Sequence, residues 1–267
     1  MFCLYLYTLL RQNSTDKVSN NFFIERLKQR FGEHRYINRN ELFDFYKSFE
    51  PELKESTFTW RIYSLKEKNI LKPVKTGVYM LSTKPQFNPE IESKLNDISK
   101  KLKKKFPVAK YCIWNTRWLS DWMIHQPGRF LIIVEVEVLA AESVFYFLKD
   151  ENFINVFYCP DDNLLERYVY EQQESIIVKQ LITKAPLWKI KGMVFPTPEK
   201  LLVDLFVERK LFAPYQGSEL INIYNNVYRQ YTLNITKLLA YAKRRTKEQE
   251  LIEFITANTQ LTELLSE

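Results

Sequence analysis

The glutamates Glu135 and Glu137, in the apolar run IIVEVEV, are the pair of side chains best suited to chemistry. Residues two apart on a strand share a face, and two carboxylates on one face can hold a divalent cation that assists hydrolysis. A nuclease centre of that kind has an Asp/Glu-x-Lys strand, but Glu137 stands where its lysine is expected. We therefore expect the two glutamates to be salt-bridged or exposed at the edge of the sheet. A metal-dependent, nuclease-like enzyme using Glu135 and Glu137 is the alternative.

The other side chains that carry chemistry are few and lie apart in the sequence. The 5 glycines form neither GxGxxG nor GxxxxGK[ST], which excludes these two phosphate-binding loops. Cys3, Cys112 and Cys159 form no CxxC motif and have no histidine nearby, which indicates reduced thiols and no zinc site. We expect no catalytic residue, no metal and no cofactor, and hence a protein that is not an enzyme.

The formal net charge of +7 is concentrated in one stretch of the sequence. Between Lys54 and Lys110 there are 14 Lys and Arg residues against 5 acidic ones, a local charge of +9, so the rest of the chain sums to −2. A basic region of this kind is typical of proteins that bind nucleic acid, because each phosphate they neutralise releases condensed counterions. A solvated charged face is the other interpretation.

The first ten residues, MFCLYLYTLL, are apolar but lack the basic flank of an export signal. They are also too few to span a bilayer, and no other stretch of the sequence is long and apolar enough. We predict that residues 1–18 form a strand or a poorly ordered segment. We expect a cytoplasmic protein without a membrane partner.

Residues 19–84 have the pattern of a winged helix-turn-helix. Apolar spacing and helix-end signals predict helices from Phe22 to Gly32, from Arg39 to Ser48 and from Glu55 to Lys68. Two short strands around a turn at Lys75, Thr76 and Gly77 are predicted to follow. Three helices and a basic hairpin in this order are typical of a DNA-binding module, although some such modules contact only protein.

The third predicted helix is the element expected to read DNA. Phe58, Ile62 and Leu65 form its apolar stripe, so the remaining side chains point away and suit hydrogen bonds to base edges and phosphates. Lysines on the hairpin are expected where a duplex backbone would pass. The predicted DNA-binding residues are Thr57, Thr59, Trp60, Arg61, Ser64, Lys68, Lys72 and Lys75.

The segment STKPQFNP, from Ser82 to Pro89, contains two prolines and is predicted to be a domain boundary. Residues 85–267 are predicted to be a mixed α/β domain, because apolar strands alternate with helices. The expected strands are Val108–Trp114, Arg129–Val138, Ile154–Pro160, Ser175–Ile182 and Trp188–Val194. Helices are expected throughout residues 198–265. The fold class of the whole chain is therefore α/β, in the broad sense that includes α+β.

Two amphipathic helices stand out in this last part, within FPTPEKLLVDLF and NITKLLAYAKRR. Thr197 is the predicted N-cap of the first, with Pro198 at its first position. We expect Asp204 to make a structural ion pair with Lys200 or with Arg244. The side chains expected to face a core are Leu201, Leu202, Leu205, Phe206, Ile235, Leu238, Leu239 and Ala242.

The motif PEKLLVD, from Pro198 to Asp204, and the later KLLAYA, from Lys237 to Ala242, are followed by Arg244 and Arg245. Together they resemble the C-terminal signature of AbiEi-type antitoxins, which belong to bacterial abortive-infection, type IV toxin–antitoxin systems. Members of that family carry a winged helix ahead of the antitoxin domain, as predicted here. The resemblance assigns the antitoxin-domain motif to Glu199, Lys200, Asp204, Tyr241, Arg244 and Arg245.

This resemblance implies a DNA-binding transcriptional autorepressor, whose partner is double-stranded DNA at its own promoter. It also implies an antitoxin of a toxin–antitoxin or phage-defence system. The functional partner would then be a nucleotidyltransferase toxin, which such antitoxins counter without a stable complex.

Overall fold

The computed structural model describes residues 24–32, 36–67, 70–82, 84–85, 87–190 and 192–265. The chain divides into two compact units, and the second begins at Lys84. The predictions made for residues 1–18 and for Lys68 lie outside the described residues.

In the N-terminal unit, residues 24–31 are helical and are called α1. The elements that follow are β1 Ile37–Asn38, α2 Arg39–Lys47, α3 Glu55–Glu67, β2 Leu71–Lys75 and β3 Val78–Leu81. The strands pair antiparallel in the order β1-β3-β2. Gly77, with φ of 75°, makes the turn between β2 and β3, a conformation that favours glycine. The predicted helices and hairpin are present, whereas the winged-helix assignment stays a prediction.

The core of this unit is built from one to three apolar side chains of each element. Leu27 of α1, Ile37 of β1, Leu42 of α2 and Phe58 of α3 are fully buried in it. Ile62 and Leu65 continue the α3 stripe, so the predicted orientation of this helix is confirmed on its apolar side.

The second unit is a mixed α/β structure. Its elements are α4 Ser93–Lys105, β4 Tyr111–Asn115, a 3-10 segment Thr116–Trp122, β5 Phe130–Val136, α5 Val138–Asp150, β6 Val156–Tyr158, α6 Asp162–Leu164 with a π-helical turn Leu165–Val169, β7 Glu174–Gln180, β8 Leu187–Ile190, β9 Met193–Pro196, α7 Pro198–Val207, a 3-10 turn Ala213–Tyr215, α8 Ser218–Gln230, α9 Ile235–Arg244, α10 Glu248–Asn258 and a 3-10 segment Gln260–Leu264. The predicted fold class is thereby confirmed.

Its main sheet has the strand order β4-β5-β7-β6. Strand β4 runs antiparallel to β5, whereas β5, β7 and β6 are mutually parallel. The carboxyl ends of these three parallel strands therefore meet at one edge of the sheet. Strands β8 and β9 form a separate hairpin, with Gly192 at φ of 80° between them, where one strand was predicted.

Several predicted strand boundaries are wrong by two or three residues, for local reasons. Val108 is 91% exposed and lies in the turn after α4, so β4 starts only at Tyr111. Strand β5 ends at Val136, because Glu137 is the N-cap residue of α5. Asp161 caps α6, since its carboxylate accepts the backbone N–H of Leu164 at 2.9 Å.

Helix α7 begins where the sequence predicts, but not by the predicted capping bond. Thr197 occupies the N-cap position, yet its hydroxyl has no hydrogen-bond partner among the described residues. Glu199, in the first turn, instead accepts the backbone N–H of Asn234 at 2.8 Å. This bond ties the start of α7 to the start of α9, because Asn234 is the N-cap residue of α9.

Candidate functional site

Two places in the molecule gather the residues that the sequence singled out, and the first is the outer face of α3. Phe58, Ile62 and Leu65 are buried, so the opposite side of the helix faces solvent. Thr57, Thr59 and Trp60 are exposed there as predicted, and Trp60 is 66% exposed. A tryptophan this open has little part in a core and is available for contact with a partner.

Arg61 does not point outward, and this prediction is wrong. Its Nη2 donates to both carboxylate oxygens of Glu50 at 3.1 Å, and the guanidinium lies 4.6 Å from the ring centroid of Tyr46. Only 19% of the Arg61 side chain is exposed. The reason is that a planar guanidinium can lie over an aromatic face while its N–H groups pair with a carboxylate. Arg61 therefore fixes α3 inside the unit.

The remaining predicted DNA-binding residues are less exposed to solvent, or more engaged within the unit, than the helical spacing predicts. Ser64 is half-buried, as are Lys72 and Lys75 on β2. The hydroxyl of Thr59 accepts a hydrogen bond from Arg39 at 3.0 Å, and the Arg39 guanidinium also pairs with Glu55.

Tyr63, which is not among the predicted DNA-binding residues, is 58% exposed on α3. It follows Trp60 by three residues, and side chains with that spacing share a helix face. The spacing was visible in the sequence. The part played by Arg39 was not, because it comes from a different helix.

The positive charge is shared between the units differently from the predicted single basic stretch. Residues 1–83 contain 14 Lys and Arg against 9 Asp and Glu, a net +5, and the other 184 residues contain 25 against 23, a net +2. The lysines of the sequence KKLKKK belong to α4 of the second unit, so the local +9 does not lie on one unit. The N-terminal unit nevertheless carries most of the excess charge.

The second place is a set of buried ionised side chains in the second unit, here called the charge cluster. Its members are Glu135, Lys179, Lys200, Asp204, Glu208 and Arg245. The parallel register of β5 and β7 sets Glu135 opposite Lys179. Lys200 and Asp204 lie one turn apart on α7, which places them on the same face of that helix.

Lys200 is the centre of the charge cluster. Its side chain is fully buried and pairs with Glu135 and with Asp204, whose side chains are 0% and 1% exposed. Lys179 lies 3.5 Å from Glu135 and also pairs with Glu208. Three cations and three carboxylates thus neutralise one another, which is the condition for burying charges at tolerable cost.

Arg245 and Tyr241 connect α9 to this cluster. Arg245 Nη1 lies 2.7 Å from Asp204 and Nη2 lies 2.8 Å from Glu208. The hydroxyl of Tyr241 donates to Asp204 at 2.9 Å. The predicted Lys200 and Asp204 pair is confirmed, whereas Arg244 is not a partner of Asp204; it donates to the hydroxyl of Thr183 at 2.7 Å.

The pKa shifts in the cluster favour permanent ionisation. Burial opposes the charge of Lys200, but the carboxylates of Asp204 and Glu135 outweigh it and raise its pKa well above the usual range. For Asp204 burial is likewise outweighed, here mainly by Lys200, Lys179 and Arg245, so its pKa falls. Neither group titrates near neutral pH, so neither is suited to general acid–base catalysis.

The alternative that Glu135 and Glu137 share a metal ion finds no support in this geometry. Glu135 is turned to two lysines, and Glu137 lies beyond the end of β5. Among the described residues, no group of three or more His, Cys, Asp and Glu side chains is arranged to hold a metal ion. Of the two expected environments, salt-bridged or edge-exposed, Glu135 has the first, because it pairs with Lys179 and Lys200.

Replacing Arg245 by alanine should destabilise the second unit by about 2 kcal/mol, because two charge-assisted contacts to buried carboxylates are lost. Replacing the neighbouring Arg244, which is exposed, should change stability by less than about 0.5 kcal/mol. Urea denaturation of the two variants compares them directly. Equal losses in the free energy of unfolding would show that the contacts of Arg245 with Asp204 and Glu208 do not stabilise the unit more than the surface contact of Arg244 does.

The fold and these sites define a class of mixed α/β protein with two units. One is a small, positively charged helical unit with a three-stranded sheet, and the other is a larger unit built around the charge cluster. Residues 57–261 match a family described as a family of unknown function (DUF6577), and the chain belongs to that family. No curated protein matches the chain. In the described part, no helix is long and apolar enough to cross a membrane.

Proposed function

We propose that the chain is a DNA-binding transcriptional autorepressor and the antitoxin of a toxin–antitoxin or phage-defence system. The observation that carries the DNA-binding part is the exposed face of α3, with Thr57, Thr59, Trp60 and Tyr63, in a unit of net charge +5. Its ligand in this proposal is double-stranded DNA at its own promoter. The proposal puts the protein in the cytoplasm.

The element order α1-β1-α2-α3-β2-β3 supports the winged-helix interpretation of the N-terminal unit. In such a module, the second helix of the helix-turn-helix lies in the major groove. That helix is α3 in the proposal, and the hairpin of β2 and β3 would lie along the phosphate backbone.

The exposed α3 side chains divide by the contacts they suit. Thr57 and Thr59 offer hydroxyl groups for base edges or phosphates. Trp60 and Tyr63 offer ring faces for apolar contact with bases or sugars. Lys72 and Lys75 supply charge for phosphates, and the proposal gives the same role to Lys68. Arg61 acts indirectly in the proposal, because its bond to Glu50 holds α3 against the rest of the unit.

The antitoxin part of the proposal rests on the resemblance of PEKLLVD and KLLAYA to AbiEi-type antitoxins. Five of the six motif residues take part in contacts between α7 and α9. Asp204 is contacted by Tyr241 and Arg245, Lys200 lies 5.8 Å from the ring centroid of Tyr241, and Glu199 accepts the backbone N–H of Asn234. This supports a scaffolding role for the motif, in a domain that counters a nucleotidyltransferase toxin.

Binding to DNA from the promoter of the chain's own gene should be measurable by fluorescence anisotropy and should weaken steeply as salt rises. The double substitution of Trp60 and Lys75 by alanine is expected to lower affinity about tenfold or more, because it removes a ring contact and a phosphate contact. Lys100→Ala, which changes an exposed lysine of α4, is the matched control and should leave affinity unchanged. Absence of salt-dependent binding contradicts the proposal.

The antitoxin activity has a separate test in cells. A nucleotidyltransferase gene beside the chain's own gene should arrest growth when expressed alone, and co-expression of the chain should restore growth. Rescue should persist in the Trp60→Ala, Lys75→Ala variant, because the activity is assigned to the second unit. Failure to rescue ends the antitoxin part and leaves the DNA-binding part standing.

A further inference from the structure

We propose that the second unit binds a phosphorylated nucleoside in a pocket at the carboxyl edge of its parallel strands. The pocket has a volume of about 810 Å³, within the range of small-molecule sites. It adjoins the charge cluster, since Lys179, Glu208 and Arg245 line it. The inference goes beyond DNA binding and antitoxin activity and depends on neither.

The position of the pocket is the first argument. Strands β6 and β7 are parallel and end at Tyr158 and Gln180. Cys159 and Pro160, directly after β6, line the pocket, as do Gln180 and Ile182 at the end of β7. In open α/β sheets, ligands bind in the crevice outside the carboxyl ends of the strands.

The walls of the pocket are partly apolar. Ile182 and Val207 are half-buried and present apolar surface to the pocket, and the buried side chains of Leu165, Ile177, Phe206 and Leu211 lie behind it. Sites for small molecules combine such walls with a few fixed polar groups. Here the fixed groups are Lys179 and Arg245, both held in place by Glu208.

The rim of the pocket carries cations that an anionic ligand can recruit. Lys210 pairs with Asp162, and Lys247 lies 2.6 Å from Glu250, but all four side chains are more than a third exposed. Exposed pairs of this kind contribute little, so either lysine can turn to a phosphate at small cost.

Arg209 is the cation that the protein leaves available. In the part of the chain that the structure describes, it has no carboxylate within salt-bridge distance. Its Nε donates to the Phe206 carbonyl at 3.4 Å, and the guanidinium lies 5.1 Å from the Phe206 ring centroid. The pocket lining therefore holds five cationic side chains against three carboxylates. An arginine beside an aromatic ring suits bidentate binding of phosphate.

A ligand that fits these features has an anionic head for Arg209 and the rim lysines and a flat body for the apolar walls. A nucleoside monophosphate or diphosphate combines both. Inorganic phosphate would contact only the cationic side chains, and a nucleoside without phosphate would contact only the apolar walls.

Isothermal titration calorimetry of the full chain, without DNA, tests the assignment with AMP, ADP, adenosine and inorganic phosphate as probes. Saturable binding of AMP or ADP is expected, with adenosine and phosphate at least about tenfold weaker. Arg209→Gln should weaken nucleotide binding about tenfold or more, since it removes the anchoring charge. Arg229→Gln is the matched control, because Arg229 is an exposed arginine of α8 in the same unit.

Three results overturn the proposal: no saturable binding of either nucleotide at millimolar concentration, unchanged binding by Arg209→Gln, or phosphate binding as tightly as the nucleotides. The last result would mean a simple anion site. None of these bears on binding of promoter DNA, which is measured separately with variants of α3.

Discussion

Lys200→Met is expected to destabilise the second unit by about 3–5 kcal/mol, although methionine nearly preserves the shape of the lysine side chain. The substitution leaves the fully buried carboxylate of Glu135 with Lys179 alone, at 3.5 Å. Asp204 keeps Arg245 and Tyr241, so most of the cost arises at Glu135. A buried carboxylate that loses its partner costs more than the lost pair contributed.

Urea denaturation followed by tryptophan fluorescence measures this change. Four of the 5 tryptophans belong to the second unit, and Trp60 is the exception. A Trp60→Phe background therefore makes the signal report the second unit alone. The free energies of unfolding with and without Lys200→Met are then compared in that background.

The matched control is the double variant Glu135→Gln, Lys200→Met. It removes the stranded carboxylate, so it should lose less stability than Lys200→Met alone. A loss below about 1 kcal/mol for Lys200→Met, or a double variant less stable than the single one, would contradict the arrangement of the charge cluster.

Spacing along the sequence predicted much of the structure of α7 and α9 and missed some of their contacts for a geometric reason. The apolar stripes of α7 and α9 follow from helical periodicity, and so does the contact between Lys200 and Asp204 at i and i+4. Arg245 follows Leu238 by seven residues and Tyr241 by four, so it lies on the buried face of α9, whereas Arg244 is turned away from that face by about 100°. Helical spacing therefore favours Arg245 over Arg244 as the partner of Asp204, and the expected pairing with Arg244 was wrong.

The long-range members of the charge cluster could not be predicted from spacing. Glu135 and Lys179 come together through the register of β5 and β7, which hydrogen bonding of the sheet sets. The residues of α7 from Pro198 to Phe206 are all buried, including Glu199, Lys200 and Asp204. Sequence patterns assign such charges to solvent, because nothing local shows that they are neutralised by partners from other elements.

On α3, too, helical spacing predicted some side chains correctly and failed for one whose partners lie outside the helix. Its buried stripe was predicted correctly, and Tyr63 could have been added from the stripe alone. Arg61 was misjudged because its partners, Glu50 and Tyr46, precede α3 and are not connected to it by any helical spacing. Polar residues near the edge of an apolar stripe are therefore the least predictable candidates for DNA contact.

Stability of both units is expected to fall as pH rises above about 10, because several tyrosines are held neutral by burial. Burial raises the pKa of Tyr46 to about 12 in the N-terminal unit and that of Tyr215 to about 12 in the second. Burial also raises the pKa of Tyr224 and of Tyr241. A raised folded pKa gives stability that is complete below the unfolded value near 10 and is lost as pH rises through the folded value.

A shift of two pKa units at Tyr215 corresponds to at most about 2.7 kcal/mol, lost between roughly pH 10 and pH 12. Urea denaturation at increasing pH, in the Trp60→Phe background, follows the second unit. Tyr215→Phe should retain more of its neutral-pH stability at high pH, because it removes one group that must stay protonated. Tyr146→Phe, at a tyrosine 56% exposed, should leave the pH profile unchanged. Absorbance titration in which every tyrosine ionises near pH 10, while the chain stays folded, would refute the argument, since burial would then not favour the neutral form.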